Sequence, residues 1–460
     1  MEAKNSGKVL RLKWILSFVI PAVFFLIPVS DAYEPQMRTF FIVTVWAIVM
    51  LILNLVENAI VALMLTFLYA LTGLLTISEA LAAWTSTTVW MVFATLVILN
   101  VMKKTTILER VAYWLIIRTG GSYLGILMGI GTLSIISLLL IPSVMTGVTG
   151  VAIAVGICDA LQLEKGKASG GIVLTAIITF GECCNFIYSP SAVGVSSSMA
   201  SQFVPVELNY FILIRHNWVF IPLVYVLCFI ISKLMKPEVP IAAKEVFIEK
   251  RKALGKMQKS EWKMLAILLC MIVFLFTNQW HGIDMVYGFI FGTALMFIPG
   301  IGVGTAEDIK NVDVGTLIFI TACMTIGTAG VAVGISDRIT DLIAPLMNGN
   351  NRFLLVGGSF ISGVLLNFLM TPMALIAVLS GPFAKLATTL GFTAYPTVYS
   401  VYFSGNNVIL PYENTLYLIA YSYGKIEMKD FIRVNLVKIL VCFLWTVIIG
   451  TGYWSLIGLL

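Results

Sequence analysis

The stretch LPYENTLYLIAYSYG, Leu410–Gly424, places a glutamate inside a region that otherwise has the composition of a membrane helix. Pro411 interrupts a helix and Asn414 favours the start of a new one, with Glu413 between them. An ionisable side chain in a membrane segment is costly and usually functional. The stretch therefore predicts an interrupted helix in which the carboxylate of Glu413 has a functional role. The alternative is a glutamate at a loop end, near the lipid headgroups.

The composition of the whole chain supports this membrane setting. Of the 460 residues, 59% are hydrophobic and 11% are charged, whereas a soluble domain carries roughly 25% charged residues. Apolar runs of about 20 residues, long enough to cross a bilayer, recur from end to end. We therefore predict an all-α polytopic membrane protein whose first helix is a retained anchor. About eleven runs fit single transmembrane helices: 13–29, 38–54, 56–76, 86–102, 169–200, 211–234, 262–280, 284–300, 313–335, 394–424 and 433–457.

Two longer apolar regions, 121–161 and 352–391, do not fit a single crossing. The first has the polar centre IPSVMTGVTG (Ile141–Gly150), and the second has NFLMTPM (Asn367–Met373). Two half-length helices with a kinked tip between them would make each region a re-entrant hairpin. The alternative is two full crossings joined by a short loop.

The order of these segments repeats along the chain. A span followed by an amphipathic piece, ILERVAYWLI (107–116) or SDRITDLIAPL (336–346), precedes each hairpin, and a broken helix follows it. An odd number of spans between corresponding points predicts two inverted repeats, which are characteristic of secondary transporters. The predicted organisation is N-terminal scaffold helices in 1–83, a first repeat in 84–234, a cytoplasmic basic loop in 235–261, scaffold helices in 262–300 and a second repeat in 301–460.

Basic residues predict the orientation. Lys and Arg are concentrated before the first span and between Lys233 and Lys263, and such segments stay in the cytoplasm. The last helix begins near Arg433 and Lys438, so we expect a cytoplasmic N-terminus, an outside C-terminus and a plasma-membrane location. The net charge of +6 follows from this bias and requires no nucleic-acid partner.

Four polar interruptions are the candidate site: two hairpin tips and the helix breaks GECCNFIYSPS and SGNNVILPYENT. Free N–H groups at a helix start suit an anion, and free carbonyls and hydroxyls suit a small cation. Vicinal Cys183 and Cys184 are interpreted as ordinary packing residues, since no metal or redox spacing accompanies them. The candidate substrate- and ion-binding residues are Ser143, Thr146, Thr149, Glu182, Asn185, Ser189, Ser191, Asn367, Thr371, Asn406, Asn407, Glu413, Asn414 and Thr415.

The candidate set contains two glutamates, and two further charged residues, Glu57 and Lys385, lie outside it. Glu182 lies in the first break and Glu413 in the second, so either carboxylate is a candidate proton carrier. Glu57 is interpreted as a boundary or interhelical residue, and Lys385 as a snorkelling interfacial lysine.

This order of segments resembles that of the divalent anion/sodium symporter family, which carries di- and tricarboxylates or sulfate. The likeness is strongest in LPYENTLYLIAYSYGKIEMKDFIRVN (Leu410–Asn435), where Pro411, Gly424, Lys429 and Asp430 match the family frame, and YSPSAVG (Tyr188–Gly194) resembles the first break. The resemblance implies scaffold and transport domains, a homodimer, an elevator movement, and substrate and sodium bound between hairpin tips and helix breaks.

The sequence departs from the family at these tips and breaks. The paired Ser-Asn-Thr signatures are absent, and Asn414-Thr415-Leu416-Tyr417 replaces Thr-Pro-Pro-Asn. These motifs supply sodium ligands in the family, so glutamates in both breaks suggest proton coupling, with sodium as the alternative and no cofactor.

The predicted function is secondary active transport of a small anion through a lipid membrane, coupled to protons or sodium. An anion exchanger of the same fold is the alternative. An ion channel is less favoured because inverted repeats with an interior site indicate a carrier. An intramembrane enzyme is less favoured because His216 and His281, the only two histidines, lie in no catalytic motif.

Overall fold

The computed structural model describes residues 2–30, 33–53, 55–241, 243–334, 351–368 and 371–460. Within these residues the secondary structure is helical, apart from one antiparallel bridge between Ser30 and Tyr33. The predicted all-α class is therefore confirmed. The amphipathic piece predicted at 336–346 lies outside the described residues.

The helices before the basic segment include one short helix, α4, that lies outside the predicted spans. They are α1 (Glu2–Ala22), α2 (Pro35–Leu53), α3 (Asn58–Leu71), α4 (Ile77–Leu81), α5 (Thr87–Met102), α6 (Ile107–Arg118), α7 (Tyr123–Leu140), α8 (Thr146–Ala160), α9 (Lys167–Cys183), α10 (Val195–Ala200), α11 (Tyr210–Asn217) and α12 (Ile221–Leu234).

The remaining helices run from the basic segment to the end of the chain. They are α13 (Lys244–Ala253), α14 (Lys259–Phe276), α15 (Asn278–His281), α16 (Met285–Leu295), α17 (Ala306–Lys310), α18 (Val314–Ala332), α19 (Arg352–Leu366), α20 (Pro372–Thr389), α21 (Tyr395–Gly405), α22 (Thr415–Ser422), α23 (Met428–Leu444) and α24 (Thr451–Leu456).

Several helical segments are long and apolar enough to cross a membrane. By length and composition five described segments qualify, and a sixth does if the pair Ile77–Thr85 and Thr87–Met102, bent by 49°, counts as one span. The chain is a multi-pass membrane protein, and the finer count of eleven crossings stays a prediction. The five segments are Tyr123–Leu140, Tyr210–Leu234, Val314–Ala332, Pro372–Thr389 and Met428–Leu456.

Each of the two long apolar regions contains a pair of helices that pack on each other. In the first, α7 and α8 pack on each other around the tip at 141–145. In the second, α19 and α20 do the same, and Thr371 caps α20 by accepting a hydrogen bond from the Ala374 N–H at 3.4 Å. The arms are unequal, since α7 and α20 have 18 residues each whereas α8 and α19 have 15 each. A re-entrant placement of these hairpins stays a prediction.

The chain divides into two compact units. Unit 1 comprises residues 1–89, 195–206 and 313–405, and unit 2 comprises residues 90–194, 207–312 and 406–460. In unit 1, α3 packs against α2 and α18. The Phe40 and Tyr69 rings stack there at 5.9 Å between centroids, and the Tyr69 hydroxyl lies 2.7 Å from the Thr44 hydroxyl. This buried pair of rings helps to hold the core of unit 1.

Each unit repeats one arrangement of a hairpin and a helix. In unit 2, hairpin α7–α8 packs on α9, and α22 packs on α8 and α9. In unit 1, hairpin α19–α20 packs on α21, and α10 packs on α20 and α21. The chain passes from unit 2 to unit 1 between α9 and α10, and from unit 1 to unit 2 between α21 and α22. Each broken helix thus contributes one half to each unit.

The segment predicted as a basic loop, 235–261, contains helix α13. Most residues of α13 are charged, but Phe247 is buried. Its ring centroid lies 5.4 Å from that of Tyr113 on α6. Helix α6 is the predicted amphipathic piece 107–116; α13 packs against it, and Ala112 and Leu115 of α6 cluster with Leu133 of α7. The cytoplasmic placement of the segment stays a prediction.

Candidate functional site

The first helix break follows α9, and its glutamate is buried. Glu182, with 1% of its side chain exposed, lies one residue before the end of α9. The Asn185 amide donates a hydrogen bond to Glu182 Oε2 at 2.8 Å. The other carboxylate oxygen, Oε1, lies 3.6 Å from Lys438 Nζ. Glu182 therefore has a buried positive charge as its counterpart.

Lys438 lies in the middle of α23 and is also 1% exposed. Its ammonium donates hydrogen bonds to the backbone carbonyl of Asn406 and, at 2.9 Å, to the hydroxyl of Tyr417. The Tyr417 hydroxyl donates to the same carbonyl at 3.3 Å. Burying a charge is tolerated only when it is paired and hydrogen-bonded, and Lys438 meets both conditions.

The carbonyl that Lys438 contacts belongs to the second break. Asn406 directly follows α21, and the last carbonyls of a helix lack partners within it and carry partial negative charge. The Asn406 side chain donates to the carbonyl of Gly181 at 3.1 Å, beside Glu182. The two predicted breaks therefore meet in unit 2.

Glu413 has a different kind of partner. Its carboxylate accepts hydrogen bonds from the backbone N–H of Leu410 at 2.7 Å and from that of Ile409 at 3.2 Å. The side chain is 3% exposed and interacts electrostatically with Lys438. Asn414 then caps α22 by accepting from the Leu416 N–H at 2.9 Å. The N–H groups at this break, which suit an anion, hold the protein's own carboxylate.

The tip of the first hairpin lies beside these breaks. Added at Gly147, a Cβ would lie 3.5 Å from Phe180 on α9 and 3.9 Å from Leu416 on α22. Ser143 and Thr146 are buried at this tip, and Thr146 donates to the carbonyl of Ile141 at 3.0 Å. Thr146 therefore stabilises the kink itself, because the Ile141 carbonyl lies outside both helices.

The remaining unit 2 candidates differ in how far they are buried. The Ser189 and Ser191 hydroxyls lie 3.2 Å apart on either side of Pro190, at the end of the first break. Asn407 is buried, Thr149 is half-buried, and Thr415 is exposed at the first turn of α22.

Two candidates, Asn367 and Thr371, belong to unit 1. The Asn367 amide donates to the carbonyl of Ser404 at 2.9 Å and to that of Gly405 at 3.4 Å, at the end of α21. Unit 2 has a comparable contact, since the Asn406 amide binds the Gly181 carbonyl near the end of α9. Thr371 caps α20, as described above.

The two charged residues and the two cysteines that the sequence analysis placed outside the site are found as follows. Glu57 is exposed at the start of α3, and Lys385 is half-buried on α20. Cys183 and Cys184 are buried and carry free thiols. Their burial agrees with the packing role predicted for them.

Sequence reasoning missed Lys438 and Tyr417 as site residues. Lys438 was used only as a marker of orientation, although it lies within the apolar run NLVKILVCFLW. A lysine inside such a run is itself a signal of a functional or paired charge. Tyr417 carried no signal of its own, because aromatic residues are common in membrane helices.

Paired hairpins, interrupted helices and buried charges at the interruptions define a class of protein, the helical secondary transporters. The profile of the family described as the sodium:sulfate symporter transmembrane region matches residues 8–460. The chain belongs to this family, so it is a secondary anion transporter of the membrane and not an enzyme. The predicted resemblance to divalent anion/sodium symporters is confirmed.

One solved structure extends the comparison to the fold. The YdaH transporter of Alcanivorax borkumensis, reported to have an unusual topology, aligns with a TM-score of 0.53 and 15% sequence identity. The alignment covers 80% of this chain and 85% of that one. At this identity the likeness concerns the fold alone. No curated protein matches the chain.

Proposed function

We propose that this protein carries a small divalent anion, a di- or tricarboxylate or sulfate, across the plasma membrane by an elevator movement in a homodimer. Membership of the sodium:sulfate symporter family, matched over residues 8–460, is the observation that supports an anion substrate. Eleven crossings, two re-entrant hairpins and inverted repeats complete the proposal. The reciprocal exchange of half-helices between the two units supports the repeats.

The proposed coupling ion is the proton, and Glu413 is its carrier. The Glu413 carboxylate occupies the N–H groups of Ile409 and Leu410, which are the donors that would suit a substrate anion. Protonation neutralises Glu413 and weakens its hold on these donors. The substrate anion then takes the donors, so that proton and anion load together.

The first experiment asks whether the protein is a carrier. Purified protein is reconstituted into liposomes, and uptake of labelled sulfate and labelled succinate is measured with and without the same unlabelled anion inside. The proposal predicts saturable uptake of at least one anion, accelerated by the unlabelled anion. Non-saturable flux with measurable single-channel conductance would contradict it.

An exchanger remains the second candidate. A carrier coupled to protons takes up anion into liposomes that contain none, provided that an inward proton gradient is imposed. An obligate exchanger does so only when a counter-anion is present inside. The same liposomes distinguish the two functions.

A further inference from the structure

The surroundings of Lys438 consist of oxygen atoms from three elements. They are a carboxylate oxygen of Glu182 on α9, the backbone carbonyl of Asn406 and the hydroxyl of Tyr417 on α22. Carbonyls at the end of an interrupted helix, together with such side chains, are the ligands that hold sodium in transporters with broken helices. The chemistry around the Lys438 ammonium is therefore that of a small-cation site.

Four titratable side chains surround or interact with the Lys438 ammonium. Glu182 faces Lys438 from α9, Tyr417 from α22 and Cys442 from α23 itself, and Glu413 interacts with it from the turn before α22. The Lys438 ammonium is thus the buried positive charge that pairs with Glu182. The pairing with Glu182 is direct at 3.6 Å, whereas Glu413 has its own backbone donors.

We propose that the Lys438 ammonium is a tethered cation that takes the place of a coupling sodium ion at this site. The proposal deepens the proposed function and rests on it. Nζ occupies the position where the Asn406 carbonyl, the Glu182 carboxylate and the Tyr417 hydroxyl converge. A free cation cannot enter while the ammonium is there, and the carrier needs none from solution to balance Glu182.

Removing the ammonium should open the site to a free cation. Lys438→Ala leaves the Glu182 carboxylate and the Asn406 carbonyl in place and creates room for sodium. A ligand that binds only the folded state raises the melting temperature. We therefore expect sodium chloride to raise the melting temperature of Lys438→Ala by several degrees above its value in choline chloride of the same ionic strength. The wild-type protein should melt at the same temperature in both salts.

Lys425→Ala is the matched control. Lys425 also joins a carboxylate and a backbone carbonyl, since its ammonium lies 2.8 Å from Asp159 Oδ1 and donates to the Leu163 carbonyl at 3.1 Å. Its side chain is 20% exposed, and it lies away from both breaks. Its loss should bring no response to sodium. The double variant Lys438→Ala/Glu182→Gln should lose the response, because the carboxylate ligand is gone.

Two outcomes would overturn the proposal. One is equal melting of Lys438→Ala in sodium and choline, which would leave Lys438 with a structural role only. The other, which needs no variant, is stabilisation of the wild type by sodium, which would show that its cation site is open. Either result leaves the anion uptake and counterflow of the wild type untouched, so failure here is distinguishable from failure of the proposed function.

Discussion

Each helix break contains one glutamate, and the two glutamates have opposite kinds of partner. Glu182 lies in the last turn of α9 and faces a buried ammonium at 3.6 Å, whereas Glu413 lies between α21 and α22 and is held by backbone N–H groups. An ammonium compensates a full charge, while N–H dipoles compensate only part of one. Glu182 is therefore suited to stay ionised as half of a pair. Glu413 is suited to exchange a proton or to give up its donors to another anion.

The same difference appears in how each break is built. At the first break a side-chain amide, that of Asn185, supports the carboxylate, and side chains from α22 and α23 complete the network. At the second break the hydrogen bonds to Glu413 and the cap of α22 are local, within the chain from Ile409 to Leu416. Long-range support resists movement of one helix alone, whereas local support can change without disturbing its neighbours.

Breaking the Glu182–Lys438 pair should have the largest effect. Glu182→Gln leaves Lys438 buried without its charge partner, and such a loss costs about 3–5 kcal/mol. We expect the largest fall in the free energy of unfolding, measured by thermal unfolding of the purified protein. Adding Lys438→Met should recover part of the loss, because neither charge then remains unpaired. A double variant that loses the sum of both single effects would contradict a coupled pair.

Glu413→Gln should cost less stability but change the pH dependence. The glutamine keeps one oxygen for the N–H groups of Ile409 and Leu410, so a loss of about 1–2 kcal/mol is expected. Because glutamine is permanently neutral, anion uptake into liposomes should no longer respond to external pH. If uptake keeps its full pH dependence in this variant, Glu413 is not the proton carrier.

Asn414→Ala tests whether the second break depends on local capping. The Asn414 side chain accepts from the Leu416 N–H at 2.9 Å, and loss of such a cap costs about 1 kcal/mol. The melting temperature of Asn414→Ala should be slightly below that of the wild type. Asn414→Asp, whose side chain can still accept the hydrogen bond, should melt like the wild type. A variant as stable as the wild type would show that neighbouring helices alone hold α22.

Asp308 and Lys104 form a carboxylate–lysine pair outside the predicted spans. This pair is the reference for the Glu182–Lys438 pair. Asp308 Oδ2 lies 2.7 Å from Lys104 Nζ, and the lysine side chain is 46% exposed. Burial tends to raise the pKa of Asp308, but hydrogen bonds from Lys104 and Thr305 outweigh it and lower the pKa. The unfolded chain therefore binds this proton more readily, so Asp308 stabilises the fold above the unfolded pKa of about 3.9.

That contribution is lost as the pH falls through the folded pKa of Asp308. Asp308→Asn should therefore lower the melting temperature slightly at neutral pH and bring no change at strongly acidic pH. The effect should be smaller than that of Glu182→Gln, since water screens the exposed Lys104. An equal or larger effect would mean that the fully buried pair contributes nothing beyond a pair whose lysine is exposed.

Much of this organisation could be predicted from the sequence. The positions of both hairpin tips and both breaks follow from proline, asparagine and glycine in otherwise apolar runs, and the structure has helices ending at each of them. Local capping by Asn414 was equally predictable, because both partners lie within three residues of each other.

The pairing between distant elements could not be predicted. Lys438 meets Glu182 only because α23 packs on α9, and a single sequence contains no information on that contact. The exchange of half-helices between the two units also depends on long-range packing, so repeat order alone does not reveal it. Helix α13 was missed because its charges hide the single buried residue Phe247.

The most direct test of this account is the ion dependence of anion uptake by the wild-type protein in liposomes. Uptake of the transported anion is measured under an imposed inward proton gradient without sodium, and then under an imposed sodium gradient at equal pH, with the membrane voltage clamped in both. If Glu413 carries a proton and Lys438 fills the cation site, uptake should follow the proton gradient and ignore sodium. Uptake that follows the sodium gradient and ignores the pH difference would contradict it.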